Sequence, residues 1–161
     1  MNINQSLLSQ VETECGRLQQ ARQAQFRGTA RIRLSSLRAD QARTTREQFL
    51  RPKNVRRLHR IFATEGCRRL AAENHIPALI SREDLEAAIY RSSTTQSALL
   101  HSTDEEPPEL QLPFEPLVYL HGRHRIQAAR EFFAEGDAWW TVDLYLDSQS
   151  TASARHHLGY L

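Results

Sequence analysis

The stretch VYLHGRHRIQAAREFF, Val118 to Phe133, decides the fold. It opens on an apolar run and passes through Gly122. It then continues at helical spacing, with Ile126, Ala129 and Phe133 on one face and Ala128 and Phe132 beside them. Gly136 is placed to close that helix. The next run, WWTVDLYL, alternates: Trp140, Val142, Leu144 and Leu146 point one way, Thr141, Asp143 and Tyr145 the other. Strand, tight turn, helix and strand in this order predict an α+β (α/β) domain, a small mixed sheet with packed helices.

Upstream of the turn, residues 3–26 read as a helix ended by Gly28, so residues 1–27 form an N-terminal helical arm. ARIRLSSL alternates Ala30, Ile32 and Leu34 with Arg31 and Arg33, a half-buried strand with one charged face. A polar segment runs to Pro52. The helix after it spans Val55 to Glu65, with Val55, Leu58, Ile61 and Phe62 on one face, Arg56, Arg57 and Arg60 on the other, and Gly66 as its C-cap. HIPALIS reads as an edge strand, because proline cannot donate to a ladder. Ser81 with Asp84 resembles a capping box that opens the next helix. Residues 92–116, rich in Ser, Thr, Pro and acids, read as an exposed insertion, either flexible or docked as an extension. The domain proper is residues 28–147, and residues 148–161 form a C-terminal tail.

Forty per cent hydrophobic residues in 161 suffice to bury a core without a disulfide or metal staple. Cys15 and Cys67 have no partner at metal-site or redox spacing and read as thiols in a reducing compartment. The first residues show no secretory signal, and no stretch approaches the roughly 18 apolar residues of a membrane span. These features predict an intracellular chain, cytoplasmic or nuclear, with no membrane partner.

The net charge of +2 conceals an asymmetry. From Arg17 to Arg69, 15 basic residues face three acids; from Leu70 onward, six face 14. All but Lys53 of the 21 basic residues are arginine, whose planar fork suits phosphates and carboxylates. The basic half is therefore a candidate nucleic-acid surface, through Arg43, Arg46, Arg56, Arg57 and Arg60, joined by some of Arg31 and Arg33. A solvated helix face, or pairing with the acidic half, is the plainer alternative.

The turn asks why Arg123, His124 and Arg125 occupy a helix start, where basic residues meet the positive end of the dipole. The first amides of a helix lack intrahelical partners, and a preceding glycine admits a ligand to the backbone. A bound polyanion would offset the repulsion. The alternative is that Arg125 pairs with an internal carboxylate while Arg123 lies in solvent. His121 and His124 lack a third ligand, so no metal site is expected.

HGRHRIQAARE resembles the phosphate-binding motif of the ParB N-terminal domain superfamily, which includes the sulfiredoxins, at Gly122, Arg123, His124, Arg125, Ala128 and Ala129. ARIRLSSLRADQARTT is similar to that family's first strand and following loop, with Arg43 as the loop arginine. VRRLHRIFATEG resembles its helix ending in glycine, and IPALIS its proline-containing strand. The resemblance covers roughly residues 28–147, and the long insertion before the motif is similar to ParB-like domains of filamentous fungi. It implies binding of a nucleoside triphosphate, CTP in partition proteins and ATP in sulfiredoxins; some relatives are kinases and others have been described as nucleases. The position after the glycine is a cysteine in sulfiredoxins and a glutamate in partition proteins. Here it is Arg123, so reductase chemistry is not implied. The partition proteins' pair of arginines becomes His124 and Arg125, and no helix-turn-helix segment follows the core.

The expected site is therefore Gly122, Arg123, His124 and Arg125. Glu65 and Gly66 join it, with Glu65 as a carboxylate near the phosphates or else a solvated helix-end acid. The expected ligand is a nucleoside triphosphate, with or without Mg²⁺. No Ser/His/Asp or Cys/His arrangement is recognisable, so catalytic residues are not assigned, although the reading leaves room for slow nucleotide hydrolysis or phosphotransfer. A non-catalytic module binding DNA or RNA, and a degenerate interaction scaffold, are the competing functions; a homodimer is compatible with each.

Overall fold

The computed structural model describes residues 22–40, 50–102, 106–112 and 115–147, together with residues 9, 10, 16 and 20. Within them the chain is α+β. Strands β1 (Phe26–Arg33), β2 (Leu37–Ala39), β3 (Ile76–Ile80), β4 (Leu117–Tyr119) and β5 (Trp139–Leu146) form one mixed sheet in the order β1-β5-β3-β4-β2. The β1–β5 and β3–β4 pairs are antiparallel; β3–β5 and β2–β4 are parallel. The helices are α1 (Pro52–Glu65), α2 (Arg82–Arg91), α3 (Gln96–Leu100) and α4 (Arg123–Phe132).

Register explains the core. Val142 faces Ala30 on one side and Ile76 on the other, and Leu144 faces Gly28 and Ala78. Alternation then puts Ala30, Ile32, Ile76, Ala78, Ile80, Trp140, Val142 and Leu144 on one face, all of them buried. Val55 and Phe62 from α1 and Ile126, Ala128 and Ala129 from α4 join the same core cluster. On the opposite sheet face Asp143 is half-buried: it accepts from Thr29 Oγ1 at 2.8 Å and bonds His75 Nδ1 at 2.9 Å. Thr141 is buried, and its hydroxyl has no hydrogen-bond partner among the described residues.

Several boundaries differ from the sequence reading. Residues 22–25 are helical, but β1 starts at Phe26, so Gly28 lies inside a strand instead of ending a helix. Helix α1 begins at Pro52, whose fixed φ and missing N–H suit the first helical position. Helix α4 stops at Phe132, before Gly136, because Phe133 turns to extended backbone to pack on the core. Ser81 caps α2 as expected, its Oγ accepting from the Asp84 amide.

The strand HIPALIS is central, not an edge. In an antiparallel ladder, a narrow pair exchanges both backbone bonds. Leu120 donates its N–H to Pro77 O at 2.8 Å, but Pro77 has no N–H to return. The proline thus falls at the one place where its neighbour β4 has just ended, and the missing bond helps the chain leave the sheet.

Of the two readings of the segment at 92–116, its described parts favour the docked extension, although many of their residues are exposed. Leu99 of α3, Pro107 and Leu110 are buried. The Arg31 amide donates to Pro108 O at 2.9 Å, and the Leu110 amide to Arg31 O at 3.0 Å, which covers the free edge of β1. Helix α3 presses on Gly28, whose φ is +123°; a Cβ there would lie 2.5 Å from the Leu99 carbonyl carbon. Gly28→Ala is therefore expected to lower unfolding free energy by at least ~2 kcal/mol, through overpacking and backbone strain. An unchanged midpoint in urea would show that α3 does not rest on this strand.

Candidate functional site

The site grows from the end of β4. Beyond Tyr119 the chain passes Leu120 and His121 to Gly122, which adopts left-handed backbone (φ +94°, ψ 24°) and starts α4. A Cβ at Gly122 would come within 3.2 Å of Ile76 Cγ1, so the turn lies directly on the first residue of β3. The Ile126 amide makes the first helical bond, to Gly122 O at 2.9 Å. No side chain caps the helix and no acid stands in its first turn.

Arg125 is half-buried beneath this turn. It donates from Nη1 to Asn74 O at 3.1 Å, and its guanidinium lies 5.9 Å from the centre of the Trp140 ring. Trp140 Nε1 donates to the same carbonyl at 2.8 Å. Burial pulls the Arg125 pKa below its ordinary value. Among the described residues no carboxylate pairs with it.

His124 connects the turn to α1. Its Nε2 accepts the Arg51 amide at 2.9 Å, at the N-cap of α1. Farther along, His59 Nε2 meets Glu131 Oε2 at 2.6 Å, and the rings of Phe62 and Phe132 lie 5.7 Å apart, edge to face. Hydrogen bonds from Gln127 and His59 hold the Glu131 carboxyl below its ordinary range. The contacts advance together along both helices, so α1 and α4 run parallel with their starts side by side. Two positive dipole ends thus share one corner with Lys53, Arg123 and Arg125, and neither first turn holds an acid.

The structure brings Gly122, Arg123, His124 and Arg125 together. Glu65 and Gly66 are exposed at the C-terminal end of α1, and Cys67, next after them, lies close enough to Arg125 to feel its charge. Arg56, Arg57 and Arg60 are exposed as expected. Arg31 and Arg33 do not join them, since Arg31 donates to Pro107 O at 2.9 Å and Arg33 lies 3.8 Å from Glu109. Arg43, Arg46 and the tail at 148–161 lie outside the described residues.

Sequence reasoning missed Arg51, whose amide reaches His124, and Asn74, whose carbonyl gathers Arg125 and Trp140. Pro52 was the available signal for the first; a backbone carbonyl leaves none. It also missed Arg69, which stacks 3.6 Å from the Trp139 ring centre and 4.3 Å from that of Phe133 while pairing with Asp137 at 2.9 Å. Two open clefts lie elsewhere, one lined by Arg22, Gln23, Phe26, Asp143 and Tyr145, the other by Arg31, Arg33, Glu109, Glu135, Gly136, Ala138 and Trp139. Among the described residues, no group of three or more His, Cys, Asp or Glu side chains could hold a metal, and no helix is long and apolar enough to cross a membrane.

Fold and turn together define a small α+β domain with a basic strand-to-helix corner. A family model described as "Protein of unknown function (DUF3723) N-terminal domain" matches residues 25–159, and the chain belongs to that family. No curated protein and no solved structure matches it.

Cys67, half-buried after α1, lies close enough to feel Arg69 and Arg125, yet burial outweighs both and pushes its thiol from 9.0 up to about 11. The neutral thiol is favoured in the fold, so its contribution to stability is complete below pH 9.0 and is lost as pH rises toward 11. In a Cys15→Ser background, iodoacetamide at about pH 8 should modify Cys67 far more slowly than a free thiol, because the thiolate is the nucleophile. Reaction at the free-thiol rate would show the environment to be wrong.

Proposed function

We infer that the Gly122 turn binds the phosphates of a nucleoside triphosphate. Arg125 carries this reading: a half-buried cation at a helix start, hydrogen-bonded to a neutral carbonyl and unpaired with any carboxylate among the described residues. Burying a charge without a counter-charge is costly, and a phosphate at the turn would offset that cost. The uncapped amides of α4 would donate to it. The resemblance of HGRHRIQAARE to the ParB-type phosphate motif points the same way. Mg²⁺, when it accompanies the nucleotide, would be held chiefly by phosphate oxygens and water. The described residues offer no carboxylate cluster for it.

Charge-assisted hydrogen bonds contribute roughly 1.5–3 kcal/mol each, so Arg125→Ala should weaken nucleotide binding about 10- to 100-fold. The contacts with Asn74 and Trp140 mean the same substitution should also lower the melting temperature. Calorimetry with ATP, CTP and GTP, with and without Mg²⁺, on wild type and on Arg125→Ala checks this below the melting range. Equal affinities would make the arginine architectural; a wild type that binds none of the three would remove the site.

A further inference from the structure

The solvent face of α1 carries a second anion-seeking feature. Lys53, Arg56, Arg57 and Arg60 are all exposed. At 3.6 residues per turn they fall on one stripe, opposite the buried Val55 and Phe62. From Lys53 to Arg60 the stripe runs about 10 Å along the helix axis. Among the described residues none of the four forms an ion pair, and the one acid of α1, Glu65, stands at its far end. The plain reading, a solvated polar face, would ordinarily mix charges of both signs and place acids near the helix start. This face does neither, and its start abuts the equally acid-free start of α4.

We propose that the solvent face of α1 docks on the phosphate backbone of duplex nucleic acid without reading its sequence. Three of the four cations are arginines, whose forked donors match phosphate oxygens. The length of the stripe spans about three steps of one strand at 3.4 Å per step. No aromatic side chain stands on the stripe, whereas single-strand binders stack bases on aromatic platforms. The surface adjoins the turn at the start of α1 but does not require a nucleotide at Gly122.

The test is fluorescence anisotropy of a labelled duplex of about 20 base pairs with the whole chain, across a salt series from about 50 mM. Contact with about four phosphates predicts a slope of log affinity against log salt of about −3 to −4. The Arg56→Ala/Arg57→Ala/Arg60→Ala variant should bind at least ~10-fold more weakly, with a slope near about −1. Alanine favours helix, so its circular dichroism and melting curve should match wild type. Absence of binding at the lowest salt, or equal binding by the triple variant, overturns the proposal. So does tighter binding of a single strand of the same length, or equally strong binding of polyglutamate, which would assign the surface to an acidic protein. ATP binding by the triple variant, measured in parallel, reports separately on the turn.

Discussion

The placement of the basic corner depends on β4 stopping where it does. Leu120 can donate to Pro77 but receives nothing back, so the ladder between β3 and β4 closes after half a pair. One residue further and the chain must turn, and Gly122 makes that turn by resting on Ile76, the first residue of β3. Proline and isoleucine at adjacent positions of one strand thereby decide where the sheet releases the chain and where the helix begins. Helix α4 then has its direction set, Ile126, Ala128 and Ala129 fall into the core, and Arg130 bonds the carbonyls of Leu34 and Leu37.

The parallel packing of α1 beside α4 follows from hydrophobic contact and carries an electrostatic cost. The buried Phe62 meets the buried Trp140 and the half-exposed Phe132, and these contacts favour the pairing strongly enough to bring like dipole ends together. Antiparallel neighbours would have cancelled them. Lys53, Arg123 and Arg125 stand at that end, and neither first turn holds an acid. The phosphate proposed for the turn and the phosphate backbone proposed for α1 would each offset the repulsion between the two helix starts.

Much of the fold was legible from periodicity. WWTVDLYL announced both faces of β5, and the interval from apolar run to helical spacing around Gly122 located the turn to within a residue. Ser81 announced its helix through local hydrogen bonding, which is a short-range property. What failed was long-range. Pro77 argued for an edge because its missing donor was weighed without knowing that β4 ends beside it. Residues 92–116 left a flexible and a docked reading open because Ser, Thr and acids dominate; Leu99, Pro107 and Leu110 are buried against surfaces formed far away in sequence. At the site, Gly122, Arg123, His124 and Arg125 were legible as neighbours; the partnership of α1 with α4 was not, since nothing local says which end of a helix meets which.

One feature of the sheet bears on how the chain reaches this state. Strand β5 lies between β1 and β3, and Thr29 bonds Asp143 across 114 positions. During synthesis β1 and β3 emerge with a vacancy between them that only the last strand fills. Until residues 139–146 leave the ribosome, the two strands have exposed inner edges, and only β3 has a neighbouring strand, β4, to pair with. Loop closure over such separations slows folding, and early release would leave an aggregation-prone intermediate. A chain cut short before Trp139 lacks the strand that joins β1 to β3.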